Sequence, residues 1–155
     1  MFQFSDVSFH YTPFDGSNPP VTKPDPSFLA QVGEEGIREL LRTFYDKLYR
    51  SPIAHLFPSD YDEMMVASQH SADFFIQICG GPKYFNKNRG APQMRGRHAP
   101  FAITPTARLH WLSLFEEAIR EKILEPKKAD NRAVQSFWNY LDIFSLWMVN
   151  TSEGV

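Results

Sequence analysis

From Phe28 onward the apolar residues recur with a helical period. Ile37, Leu40, Leu41, Phe44 and Leu48 fall at i, i+3, i+4, i+7 and i+11, on one stripe. Glu34 and Glu35 precede that stripe and suit the positive end of a helix. Pro52 and Pro58 break the period afterwards. A second helix is predicted from about Asp62 to Cys79, with Ala67, Ser71, Phe74, Phe75 and Ile78 on its inner face. Gly80-Gly81-Pro82 stops it. Residues 83–103 read as a loop with a short helical turn. The third helix has a clear start, because Thr104 can cap it and Pro105 suits its first position. Trp111, Leu114, Phe115 and Ala118 then form its inner face, and Pro126 lies beyond its end. The last helix, about Asn131 to Asn150, is apolar almost all round, which predicts a helix buried in a core. There is no strand pair, internal repeat or low-complexity tract in the pattern. The expected class is all-α.

The N-terminal stretch follows a different pattern. Five of the twelve prolines (Pro13, Pro19, Pro20, Pro24 and Pro26) fall in it, which excludes a long helix. Phe2, Phe4, Val7, Phe9 and Tyr11 alternate like a short extended segment. Disordered tails are poor in aromatic residues, so this segment is expected to lie on the helical body or on a second subunit. The expected organisation is an arm over residues 1–27 and one helical domain over residues 28–155.

Composition narrows the function classes. Sixteen Lys+Arg against eighteen Asp+Glu argue against a general nucleic-acid binder. One cysteine, Cys79, excludes a disulfide framework and a cysteine-based zinc site. No apolar run approaches the ~20 residues that span a bilayer. The first residues lack a basic-then-apolar signal pattern, so a soluble, cytoplasmic protein is expected. Aromatic residues make up 15% of the chain, enough to pack a core or to line a flat apolar ligand.

Charge is distributed unevenly. Between Asp73 and Glu116 there is no acidic residue, yet Lys83, Lys87, Arg89, Arg95, Arg97 and Arg108 fall there. A solvated basic loop is one reading; arginines meeting the carboxylates of a small anionic ligand is another. Nucleic acid is discounted, since only Tyr84 and Phe85 interleave with the cations. His98 lies inside this gap. An imidazole for iron, cations for two propionates and a flat apolar slot are together what haem requires. The histidines offer no i, i+4 pair, and there is no phosphate loop or nucleophile elbow.

Five ordered blocks carry a resemblance: Thr43-Phe44-Tyr45-Asp46-Lys47-Leu48, Leu56-Phe57-Pro58, Gly80-Gly81-Pro82, the run from Met94 to Ile103, and Arg108-Leu109-His110-Trp111-Leu112. From about Gly33 to Asn150 the chain resembles a truncated haemoglobin of group II. The most specific feature is Arg97-His98-Ala99-Pro100-Phe101 with Trp111 thirteen residues after His98. The resemblance implies a short globin in which two helix pairs sandwich one haem b, iron protoporphyrin IX. His98 falls on the proximal iron ligand. Tyr45 falls on the distal tyrosine and Trp111 on the tryptophan of groups II and III. Ala67 stands where many globins place a distal histidine. Ser71, one turn on, departs from the Leu or Gln common there. Phe57 matches the aromatic over the haem, with Phe75 and Phe101 assigned to the same slot. Arg97, Arg95 and His70 are assigned to the haem edge. Phe85 stands where a tyrosine near a propionate is expected, and Tyr84 is taken to substitute. The phenol and the indole are donors suited to a diatomic ligand that gains negative charge.

Two functions from different classes follow. One is redox detoxification, as a nitric oxide dioxygenase or peroxidase-like protein served by an external reductase. The other is an oxygen or sulfide scavenger or sensor without turnover. A third reading is a helical interaction domain that lost haem. The partners expected are O2 and other small gases, with no nucleic acid and no membrane; the chain is expected as a monomer or a homodimer.

Overall fold

The computed structural model describes residues 6–153, so Phe2 and Phe4 lie outside the described residues. Six α-helices follow in order: α1 Pro26–Tyr49, α2 Tyr61–Ile78, α3 Tyr84–Arg89, α4 Met94–His98, α5 Pro105–Ile119 and α6 Asn131–Met148. No strand occurs among the described residues. Side-chain caps start the helices where short polar residues allow it. Asp25 accepts from the Ser27 N–H, Asp60 from Glu63, Thr104 from Ala107 and Asp130 from Ala133. Pro105 occupies the first turn of α5, as its sequence predicts.

α1 is two helices joined at a bend. Gly33 sits at φ 81° and ψ 161°, a conformation that only glycine adopts without strain. The bend starts a new helix at Glu34, so the acidic pair does meet a positive helix end. The predicted stripe Ile37, Leu40, Leu41, Phe44 and Leu48 is buried as a unit. α1 and α2 pack against each other, and so do α5 and α6, with α1 also meeting both members of the second pair. Phe44, Phe75, Phe115 and Phe137 interlock at the junction; Phe44 stacks on Phe115 at 3.9 Å between ring centroids.

The segment 83–103 holds two short helices, α3 and α4, where a loop with a short turn is expected. Each has at most six residues, too few for a hydrophobic period to register. α5 runs on into a five-residue π turn, Arg120–Leu124, in which the Glu125 N–H donates to the Arg120 carbonyl.

The apolar circumference of α6 is covered on two sides. Phe137, Leu141 and Trp138 are fully buried. Part of the cover comes from the arm: Phe9 meets the Trp138 ring edge-on at 5.0 Å, and the Trp138 indole donates to the His10 carbonyl. The Ser8 backbone pairs with the Gln135 amide in both directions. Tyr11 donates to Glu116 of α5. The described part of the arm therefore lies on the helical body.

Candidate functional site

Between the helix pairs lies a cavity of about 340 Å³, within the range of small-molecule sites. Phe57 and its neighbours Ile53, Leu56 and Pro58 close one part of it. α2 contributes Ala67, His70, Ser71, Phe74 and Phe75, and α3 contributes Phe85 and Arg89. Met94, Arg97 and His98 come from α4, with Phe101 just beyond. Trp111 of α5 and Phe144 of α6 complete the aromatic lining.

α2 can serve both the core and the cavity because its two inward faces are offset. Met64, Ser68, Ala72 and Ile76 repeat every fourth residue and are buried in the core. Ala67, Ser71 and Phe75 lie one position before Ser68, Ala72 and Ile76 and line the cavity, with Phe74 beside them. The predicted inner face is thus the cavity face, except that Ile78 is only half-buried and does not line the cavity.

His98 is oriented by its own helix. Its Nδ1 lies 2.7 Å from the Met94 carbonyl oxygen. A carbonyl only accepts, so Nδ1 carries the proton and donates. In the neutral ring Nε2 then holds the free lone pair, the form that a metal-ligating histidine takes. The backbone around it is held as well: Asn150 Nδ2 donates to the His98 and Phe101 carbonyls at 3.3 and 2.9 Å.

Tyr45 is half-buried and lines this cavity. Its ring meets Phe57 edge-on at 5.9 Å, and burial pushes its phenol above the ordinary value of 10.0, with contact from the Ser71 hydroxyl pulling it part of the way back. The phenol is therefore a donor at neutral pH. Trp111 is set edge-on to Phe44 at 5.4 Å and to Phe115 at 5.2 Å. Its Nε1–H makes no hydrogen bond to any described residue. The other two tryptophans both donate to arm carbonyls, Trp138 to His10 and Trp147 to Pro19, each at 2.8 Å.

The expected edge residues separate. Arg97 lines the cavity but is tied back: Nε donates to the Pro92 carbonyl at 2.6 Å, and one terminal nitrogen donates to the Arg89 and Ala91 carbonyls. It also lies 5.0 Å over the Phe85 ring. His70 lines the cavity, and burial pushes its imidazole down, with the Arg89 charge adding to the effect. Arg95 and Tyr84 do not line the cavity. Arg95 lies 5.5 Å over the Trp147 ring, and Tyr84 donates to Glu34 at 2.9 Å. Arg108 is buried and paired with Asp142 at 2.7 Å.

Arg89 is the edge cation that the motif reading passed over. It is exposed, lines the cavity and lies close enough to His70 to depress it. The signal for it was the acid-free stretch itself, in which it is the last residue of α3.

A partly open, largely apolar cavity, an imidazole with one nitrogen fixed and a cation at the edge are features that a haem pocket requires. Residues 28–148 match the profile of bacterial-like globins. The group 2 truncated haemoglobin YjbI of Bacillus subtilis (strain 168) is 32% identical over 125 residues, covering 79% of this chain and 88% of its own length. Among solved structures, the phosphate-bound Hell's gate globin IV is similar at a TM-score of 0.81 and 30% identity, covering 95% of this chain and 89% of that one. The group II truncated haemoglobin of Bacillus anthracis gives a TM-score of 0.73 at 29% identity, covering 90% and 98%. The chain belongs to the bacterial-like globins, among the group II truncated haemoglobins. Membership implies a haem protein that binds oxygen. No helix among the described residues is long and apolar enough to cross a membrane.

Proposed function

We propose that the chain holds haem b through His98 Nε2, binds O2 beneath Tyr45 and Trp111, and works in the cytoplasm in redox detoxification of nitric oxide or peroxide with an external reductase. Bound haem supplies an iron that takes up diatomic gases and changes oxidation state. Phe57, Phe75 and Phe101 give the macrocycle its apolar walls. Arg89 and His70 would hold the propionates, and Arg97 shapes the chain beside them. Ala67 removes bulk and any donor at its position, so hydrogen bonding to the gas rests on Tyr45 and Trp111, with Ser71 fixing the phenol.

The observation that carries this reading is Trp111 on the cavity wall, its indole N–H without a partner among the described residues while the other two tryptophans are paired. A hydrogen bond to a charged acceptor contributes about 1.5–3 kcal/mol. A factor of ten in rate corresponds to about 1.4 kcal/mol, so Tyr45→Phe and Trp111→Phe should each release O2 roughly ten- to a hundredfold faster. The double variant should fall short of the product if both donors serve one oxygen atom. Stopped-flow O2 dissociation reads these rates. Unchanged release in both single variants would remove the donors from the proposal. His98→Ala should lose stable haem while its helical circular dichroism survives; a normal five-coordinate ferrous spectrum in that variant would remove the ligand. Consumption of nitric oxide or peroxide with a reductase present tests turnover, and oxygen held without turnover would favour scavenging or sensing.

A further inference from the structure

The arm reaches α6, the helix against which His98-bearing α4 packs. Thr12 is its central anchor. The Thr12 N–H and hydroxyl donate to the two oxygens of Asp142 at 2.8 and 2.6 Å. Asp142 is 1% exposed and pairs with Arg108, itself 2% exposed, which also donates to the Thr12 carbonyl at 2.7 Å. A buried ion pair is held only when its remaining hydrogen-bonding groups are satisfied, and here the arm shares that task with the Ser145 hydroxyl and the Asp142 carbonyl. Pro19 is the second anchor, accepting from the Trp147 indole at 2.8 Å.

Both anchors fix the C-terminal part of α6, and that part is the seat of α4. The Trp147 ring carries the Arg95 guanidinium at 5.5 Å. Asn150, two residues past the end of α6, donates to the His98 carbonyl and accepts from the Ile103 N–H at 3.0 Å. α4 has five residues and no side-chain cap of its own. Its orientation is therefore set by what it rests on.

We infer that the arm, through Thr12 and Pro19, is a positioning element for the His98 imidazole: by fixing Asp142 and Trp147 it holds the seat of α4. The inference rests on His98 being the iron ligand. Thr12 and Trp147 lie outside the cavity lining, and neither is bonded to Tyr45 or Trp111.

The test is resonance Raman spectroscopy of the ferrous, ligand-free, haem-loaded protein, read at the iron–histidine stretching band. Trp147→Phe keeps the ring beneath Arg95 and removes the N–H that Pro19 accepts. Thr12→Val keeps the shape and removes the hydroxyl, while Thr12→Ser restores it. The expected result is a shifted or split band in Trp147→Phe and Thr12→Val and the original band in Thr12→Ser. A band unmoved in both first variants, with helical circular dichroism intact, overturns the inference. If Thr12→Val does not fold, Trp147→Phe decides alone. A band that persists in His98→Ala instead overturns the ligand assignment, an outcome distinct from failure of the arm's role.

Discussion

Arg97 commits its guanidinium to the chain beside it, with three bonds to the carbonyls of Arg89, Ala91 and Pro92. Arg89 has no comparable tie among the described residues and keeps its charge at the cavity edge. The two should answer differently to lysine. A lysine ammonium replaces a point charge and cannot reproduce a planar fork. Arg89→Lys should transfer haem to an acceptor globin at a rate within about twofold of the original, since exposed ion pairs contribute roughly 0–1 kcal/mol. Arg97→Lys should transfer it faster by about tenfold, because charge-assisted bonds that shape the α3–α4 connection are lost. Equal rates in the two variants would show that Arg97 acts only as a charge. At this scale the sequence was legible where chemistry is local. The cation-rich run around His98 and the Thr104 cap needed only neighbours, whereas Tyr45 and Trp111 were assigned to the cavity through the resemblance. Tyr84 and Arg95 did not follow from the motif, because their partners Glu34 and Trp147 lie about fifty residues away.

Helices with a period were readable, and those without one were not. α2 shows why even a readable helix misleads: its apolar positions are shared between a core face and a cavity face. Periodicity found the cavity face, while Met64, Ser68, Ala72 and Ile76 hold the core. The π turn after α5 has no compositional mark, and α3 and α4 are too short to register. The bend in α1 is different, because a glycine marks it. Gly33 has φ 81° and ψ 161°, and a side chain there costs about 1–3 kcal/mol through backbone strain alone. Nothing lies within 4 Å of the position a Cβ would take, so no clash confuses the reading. Gly33→Ala should melt several degrees lower, at about 2–4 °C per kcal/mol for a chain of this size. An unchanged melting temperature by circular dichroism would mean that the bend relaxes at no cost.

Across the whole molecule the arm, the helix pairs and the cavity share one consequence, which appears at high pH. The protein buries groups that must stay neutral. Burial pushes the Cys79 thiol from 9.0 up to about 12. It raises the phenols of Tyr140 and Tyr45 as well. Tyr11, where the arm meets α5, is pushed from 10.0 up to about 12 by burial and by its bond to Glu116. Each folded value lies above its unfolded one. The folded state therefore binds more protons in that interval, and the stability these groups confer is complete below the unfolded values and lost as pH rises toward the folded ones. Each proton in play steepens the fall by about 1.4 kcal/mol per pH unit. Cys79→Ala removes one such proton and keeps the phenols, Tyr140 losing only the lesser of its two upward pushes, the charge of Cys79. Urea unfolding of the haem-loaded protein at several pH values between 9 and 12 should give a slope shallower by about that amount. The haem contribution is common to both proteins and cancels in the difference. An identical slope would mean that the thiol ionises inside the fold at no greater cost than in the open chain, and that the interior around Cys79 is more hydrated than its burial implies.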